Sequence, residues 1–395
     1  MSIKSKSNLW PFYLYYFFMG LHDIIAPMLW IFFVDKGMSF SQVSILMAAS
    51  FLAGALSEIP TGAFADLYGR KKSVVLGLIL DAIFIIAAIY TKSFIILLLL
   101  FIYWGFGYTF ISGADEAWLV DSIPKNESRE KIIGRRNSIR SAGIFIAGIL
   151  ASLCIQIFGN TSSTWYVRFV ISIITILIVI IFTRDKKPKQ FIRKIKISEE
   201  YKNLWTQSSK GLKHILQTKN LLILSFAIIF FIIAQEILDA AHQSFYRAML
   251  VPTEYWGYVF SIAAIAGILL PLYAEKLLKV FKHEKYFLMG VVTINMIIFA
   301  LVYFVTGPIG AMSVIFFSSV FMRVREPIET TYVHKHIPSK IRATSGSAMS
   351  MFVNLAAAIG LVIGGIFTDA LGGKYAIFSL AFFMLIVMYF YSKLE

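Results

Sequence analysis

Apolar residues run along this chain in stretches of about twenty, the length a helix needs to cross the hydrocarbon core of a bilayer. Polar residues gather in the intervals between them. The stretches lie near 10–34, 41–64, 73–91, 94–121, 137–158, 164–183, 221–247, 255–279, 286–305, 309–333, 344–369 and 374–392. The pattern predicts an all-α membrane protein of about twelve transmembrane helices. Six precede and six follow one long polar interval, so the chain divides into an N-terminal six-helix half over 1–183, a cytoplasmic linker over 184–220 and a C-terminal six-helix half over 221–395. In the linker, Ile197, Tyr201, Leu204, Trp205, Leu212, Ile215 and Leu216 recur among lysines, as in an amphipathic helix lying on membrane lipid. The first stretch, Trp10 to Val34, is too long for a secretory signal and has no small-residue cleavage pattern after it, so it reads as the first span.

Composition agrees with this pattern. Of 395 residues, 58% are hydrophobic and 15% charged, and mean hydropathy is +0.75. Soluble domains carry charge on roughly 25% of residues, so a soluble protein is excluded. A formal charge of +15 would suggest nucleic acid in a soluble chain. Here the basic residues occupy alternate connectors: Arg70 to Lys72, Lys125 to Arg140, Arg184 to Lys219, Lys276 to Lys285 and Lys335 to Arg342. Basic loops stay in the cytoplasm, which places both termini there and removes the case for a nucleic-acid partner. The Lys- and Ile-rich composition suits a low-GC bacterium, and therefore its cytoplasmic membrane. Cys154 is the single cysteine, so neither a disulfide nor a cysteine metal cluster is expected. No HExxH zinc pair, Gly-x-Ser-x-Gly elbow or Walker phosphate loop occurs, which argues against an enzyme, a cofactor or direct ATP drive.

The most specific local signal joins the second and third spans, from Glu58 to Lys72. Gly62, Asp66, Gly69, Arg70 and Lys71 stand at the spacing of the cytoplasmic motif of major facilitator transporters, which the segment closely resembles. Asp121, at the end of the fourth span, matches the acidic partner that the family sets against the motif's arginine. Ile123-Pro124 and Ile337-Pro338, each beside a basic loop, are compatible with a repeat relating the two halves. The resemblance implies the major facilitator fold, with a small-molecule substrate bound near mid-membrane between the halves. It also implies a monomer and a charged latch, made by Asp66, Arg70 and Asp121, that breaks and re-forms as the halves rock. With Glu58 and Pro60 the segment further resembles clostridial-type tetracycline exporters. Two departures separate it from proton-coupled drug antiporters: Phe101 stands where their fourth span carries arginine, and the fifth span lacks their Gly-Pro pair.

Ionisable residues inside spans are costly and usually face a polar cavity. Candidates for substrate or proton binding are Asp23 in the first span, Glu58 in the second, Asp81 in the third, and Asp115 and Glu116 in the fourth. Glu236, Asp239 and His242 follow in the seventh, and Arg325 and Glu329 in the tenth. Gln235, Asp239, His242 and Tyr246 are spaced to share one helical face, which should line the cavity. Arg325 and Glu329 are placed to pair i,i+4, as Arg323 and Glu326 are i,i+3, so that these charges can also form a structural network. Asp81 fits either packing or a proton path. Acids outnumber bases, which suits cations, zwitterions or protons. The expected function is proton-coupled export of a small amphipathic or cationic compound by alternating access, as in multidrug or tetracycline resistance. Metabolite uptake or exchange is the alternative within transport, and a transporter-like membrane sensor the alternative from another class.

Overall fold

A computed structural model of the chain describes residues 9–124, 127–183, 213–272, 281, 283–325, 328–329, 332–333, 337 and 342–394. Every regular element among them is helical, as lipid requires of a chain that must satisfy its backbone hydrogen bonds within each spanning segment. Eight α-helices come from the chain before residue 183: α1 (Trp10–Leu21), α2 (Leu29–Val34), α3 (Phe40–Tyr68), α4 (Arg70–Tyr90), α5 (Phe94–Ser112), α6 (Asp115–Ser122), α7 (Arg129–Phe158) and α8 (Ser162–Phe182). Five follow: α9 (Lys219–Ala248), α10 (Trp256–Leu272), α11 (Glu284–Leu301), α12 (Pro308–Val324) and α13 (Arg342–Ser392). Nine segments of the described residues are long and apolar enough to cross a membrane, with α12 a shorter apolar helix. The expected surface helix of the linker lies outside the described residues over 184–212.

Three predicted spans differ from plain helices, each for a local reason. Pro27 lacks a backbone donor, and the first span tightens into a 3-10 segment, His22–Met28, between α1 and α2. The fourth span breaks at Gly113 and Ala114. Asp115 and Glu116 open the new helix α6, where acidic side chains complement the helix dipole. The last two spans run on as α13, which turns at Gly372 with φ +77°. Between α3 and α4 the chain reverses through Gly69 at φ +100°, a conformation that L side chains rarely adopt, which accounts for the motif's second glycine.

Lipid is as apolar as leucine, so close packing rather than the hydrophobic effect joins spans. Accordingly α1 meets α7 where Gly20 faces Gly143, and α3 meets α5 where Gly105 lies on the Ser50 backbone. Two buried clusters draw mainly on α1–α8 and a third mainly on α9–α13. In one of the first two, Phe32 stacks on Trp165 at 4.3 Å, with Phe33, Phe84 and Phe101 packed edge-on nearby. Phe101 therefore fills an aromatic core at the position where the antiporter comparison led one to expect arginine. Large apolar residues such as Leu56, Tyr90 and Ile157 point outward, as a lipid-facing belt requires.

Candidate functional site

A cavity of about 360 Å³ lies where the N-terminal helices meet the C-terminal ones. Helix α9 supplies Gln235, Glu236, Leu238, Asp239, His242 and Tyr246. The face predicted from spacing, Gln235, Asp239, His242 and Tyr246, thus lies on the cavity wall, and Glu236 joins it. Helix α10 adds Trp256 and Phe260, α12 adds Ser319 and Arg323, and the N-terminal helices contribute Pro27 and Phe51. Asp239 accepts from Trp30 Nε1 at 3.4 Å, while His242 Nδ1 lies 2.7 Å from its backbone oxygen and 3.9 Å from its carboxylate. Among the described residues neither Glu236 nor Asp239 has a Lys or Arg within 4.0 Å. Asp23, in the 3-10 segment, is half-buried and also lacks an ion pair. Three arginines act on it at longer range: Arg140, Arg168 and Arg323. Glu58 lies two helical turns beyond Phe51 on the same face of α3, without an ion-pair partner.

Beyond the cavity, toward Asp35, the two sets of helices are joined. Arg247 Nη2 donates to Asp35 at 2.5 Å. Gln243 accepts from Ile31 N at 2.9 Å and donates to the Ala26 carbonyl at 3.2 Å, so its buried amide stitches α9 to the first span. Asp369 of α13 accepts from the backbone N–H groups of Phe40 and Ser41 at 2.9 and 2.8 Å. Helix α7 meets α10 where Gly148 and Gly257 touch backbone to backbone, and Ser261 Oγ donates to the Phe145 carbonyl at 2.6 Å. Among the described residues, every hydrogen bond between α1–α8 and α9–α13 lies in the middle of the bundle or at this Asp35 end.

The opposite end carries the motif. Arg70 Nη2 pairs with Asp121 at 3.2 Å, as the resemblance implies. No ion pair joins Asp66 to Arg70 among the described residues, so the expected three-membered latch reduces here to Arg70 and Asp121. Lys71 instead caps α8, donating to the carbonyls of Ile180 and Thr183 at 2.8 and 2.7 Å. Among the described residues nothing lies within 4 Å of a side chain placed at Gly62, so none of them makes the helix contact expected from its small size.

Several predicted site residues are neutralised elsewhere. Arg168 Nη2 reaches both carboxylate oxygens of Asp81 at 3.0 and 2.9 Å, and Trp104 Nε1 adds a bond at 3.1 Å. Both side chains are buried within the N-terminal helices. Glu116 pairs with Arg136 at 2.8 Å, and Tyr15 donates to Asp115 at 3.5 Å. Arg325 pairs with Glu329 as the i,i+4 spacing suggested, with Tyr391 donating to the same carboxylate and the Phe231 ring 3.5 Å beneath the guanidinium. Glu326 lies outside the described residues. Sequence reasoning did not single out Trp256 or Phe260. Only tertiary contact brings these to the cavity wall, and no spacing within one helix signals it.

Known proteins place the chain further. The family model described as Major Facilitator Superfamily matches residues 12–322. An MFS-type transporter of Bacillus subtilis (strain 168), YxaM, whose function is uncharacterized, is 23% identical over 376 residues, which is 93% of this chain and 91% of that protein. A mutant form of the nucleoside transporter NupG superposes with a TM-score of 0.82 at 15% identity, covering 98% of this chain and all of that one. A bacterial homologue of the human lysosomal transporter Spinster, in an inward-facing and occupied conformation, superposes at 0.76 with 16% identity, covering 98% and 96% of the two chains. The family match spans most of the chain and the fold is shared end to end, so the protein belongs to the major facilitator superfamily of secondary transporters and is not an enzyme.

Proposed function

We propose that the protein exports a small amphipathic compound bearing a cationic group, in exchange for protons, by alternating access between two six-helix halves, 1–183 and 221–395. The cavity carries this reading. Glu236 and Asp239 face it without a Lys or Arg within ion-pair distance, among walls that include Trp256, Phe260 and Phe51. A bare carboxylate in such surroundings is costly, so the site is more stable holding either a proton or a cation than neither. Mutually exclusive loading of that kind couples one flux to the other. Asp23 and Glu58, also without ion-pair partners, extend the acidic path along the inner face of the N-terminal helices. The likeness of the Glu58 to Lys72 segment to exporters supports outward movement. The basic connectors support a cytoplasmic membrane location with both termini inside, and on that orientation the contacts at Asp35 close the outer side while the Arg70 end faces the cytoplasm.

Purified protein in liposomes, with an inside-acid pH gradient and a panel of cationic dyes and tetracycline, tests this. Gradient-dependent movement lost in Glu236→Gln or Asp239→Asn supports it. Movement that ignores the gradient, or survives both substitutions, defeats it. The aromatic wall also favours a second reading, uptake or exchange of a planar metabolite. That reading predicts facilitated entry of such a solute independent of the direction of the proton gradient.

A further inference from the structure

Two arginines stand apart from the ion pairs described above. Arg323, in the last turn of α12, lines the cavity together with Ile315, Ser319 and Met322 of the same helix face. Arg140, in α7, lies one helical turn beyond Arg136 along that helix. Arg136 is committed to Glu116 and lies over the Tyr16 ring at 5.1 Å. Arg140 and Arg323 are both exposed, and neither has an acidic partner within 4.0 Å among the described residues. Both, together with Arg168, act on Asp23 at longer range. An arginine within a span costs at least ~2.5–3.5 kcal/mol at the membrane centre on insertion scales and is retained where it pairs or faces a water-filled path. Lys71, Arg136, Arg168 and Arg325 all have local work, capping a helix or holding a carboxylate. These two do not. Of the two, Arg323 stands on the cavity wall, in the same cavity as Glu236 and Asp239.

We propose that the cavity binds a zwitterion, its anionic group held by Arg323 and its cationic group by Glu236 and Asp239. This deepens the export reading and rests on the same cavity. A guanidinium presents a planar fork of donors that matches a carboxylate or phosphate. Arg323 lies in one cavity with the two acids, so a single small molecule touches both signs of charge while its apolar body lies against Trp256 and Phe260. Arg323 is thereby a binding residue that selects for an anionic group, which a purely acidic cavity would repel.

The test uses 4-(aminomethyl)benzoate and its longer biphenyl homologue as zwitterions at two charge separations, with the methyl esters (cation only) and N-acetyl derivatives (anion only) as matched controls. Binding is measured by calorimetric titration of the full chain in lipid nanodiscs. At least one zwitterion should bind about tenfold or more tighter than its ester, the scale of one charge-assisted contact. Arg323→Gln should erase that preference without weakening the ester, Arg323→Lys should restore part of it, and Arg140→Gln, off the cavity wall, should leave the preference in place. Glu236→Gln should weaken zwitterion and ester alike, while the ester affinity kept by Arg323→Gln shows that this variant remains folded around a working site. An ester that binds as tightly as its zwitterion, an Arg323→Gln variant that weakens both equally, or no binding by either zwitterion overturns the proposal. Transport is read separately: zwitterion binding without gradient-driven movement defeats proton-coupled export and leaves the two-arm site standing.

Discussion

Asp369 offers the most direct handle on the conformational balance. Helix α3 begins at Phe40 after the N-cap Ser39, whose Oγ accepts from Gln42 N at 3.1 Å while the Gln42 side chain accepts from Ser39 N at 3.0 Å. This capping box leaves the N–H groups of Phe40 and Ser41 as orphans. Both are taken by the Asp369 carboxylate of α13, at 2.9 and 2.8 Å. The acceptor belongs to the C-terminal helices and the donors to the N-terminal ones, so the contact exists only while the Asp35 end is closed. In the open state both partners turn to water. Two exposed charge-assisted bonds, together with an anion at a helix N-terminus, therefore contribute about 1–2 kcal/mol to the closed state once water's competition is allowed for. Removing them in Asp369→Ala should lower the closed-to-open ratio by roughly 5–30-fold, since 1.4 kcal/mol is about tenfold.

Pulsed electron-spin measurements in lipid nanodiscs read that ratio directly, with spin labels at Lys92→Cys and Thr306→Cys in a Cys154→Ser background. Both positions are exposed, and they occupy connectors of opposite halves at the Asp35 end. The long-distance population should grow in Asp369→Ala. The neighbouring pair Arg247–Asp35 is a solvent-exposed ion pair with side-chain exposures of 48% and 41% respectively, the kind worth about 0.2–1 kcal/mol. Arg247→Gln should accordingly shift the ratio less than Asp369→Ala. An unchanged distance distribution in Asp369→Ala, or a larger shift in Arg247→Gln, would refute the assignment of the helix cap as the stronger closure.

Asp121→Asn should change the rate of transport a few-fold, the scale of a partly exposed ion pair, while Asp66→Asn changes it less; equal effects in a flux assay would show that Asp66 shares the latch. Gly257→Val inserts a side chain against the Gly148 carbonyl and Ser152. It should abolish transport and enlarge the long-distance spin population, and a fully active variant would show that this approach is not needed. Asp81→Asn leaves the buried Arg168 unpaired and should cost about 3–5 kcal/mol, with most of the loss recovered in a double variant that also replaces Arg168 by Met. Thermal unfolding in detergent measures this, and a stable Asp81→Asn protein that has lost only its gradient dependence would move Asp81 to the proton path. Lys36 donates to the carbonyls of Ala88, Ile89 and Thr91 at the end of α4, yet burial, with Lys92 nearby, pushes its ammonium down from 10.5 to about 8. Between about pH 8 and 10.5 the unfolded chain holds a proton that the folded one has released, so stability rises with pH in that window. The advantage of wild type over Lys36→Met should widen there, and one that narrows would contradict the burial argument.

The spans were legible because lipid leaves the sequence little freedom: a crossing helix must be apolar for about twenty residues and must keep its hydrogen bonds to itself. Local pairings were legible for a similar reason, since a helix fixes which residues share a face. Gln235, Asp239, His242 and Tyr246 therefore came out together on the cavity wall, and Arg325 met Glu329. The division of labour among the charges was not legible. Asp81 and Asp23 look alike in sequence, each a lone aspartate in an apolar run. What separates them is Arg168, 87 residues from Asp81 along the chain, which neutralises Asp81 and reaches Asp23 only at longer range. No periodicity connects α4 to α8.

A charge inside a span therefore carries functional meaning only after its partners have been subtracted. Subtraction removes Asp81, Glu116, Arg136, Arg168, Arg325 and Glu329, whose pairings are all internal to one set of helices and survive any rigid movement between the two sets. Among the described residues it leaves Asp23, Glu58, Asp115 and Arg140 on one side and Glu236, Asp239 and Arg323 on the other, with both signs on each. A rocking movement of one set against the other changes the distances across that divide and leaves the internal pairings intact. The residues whose charges are unsatisfied in this conformation are thus the ones whose energies change as the protein cycles, and a bound proton or substrate can bias the cycle only through differences of that kind.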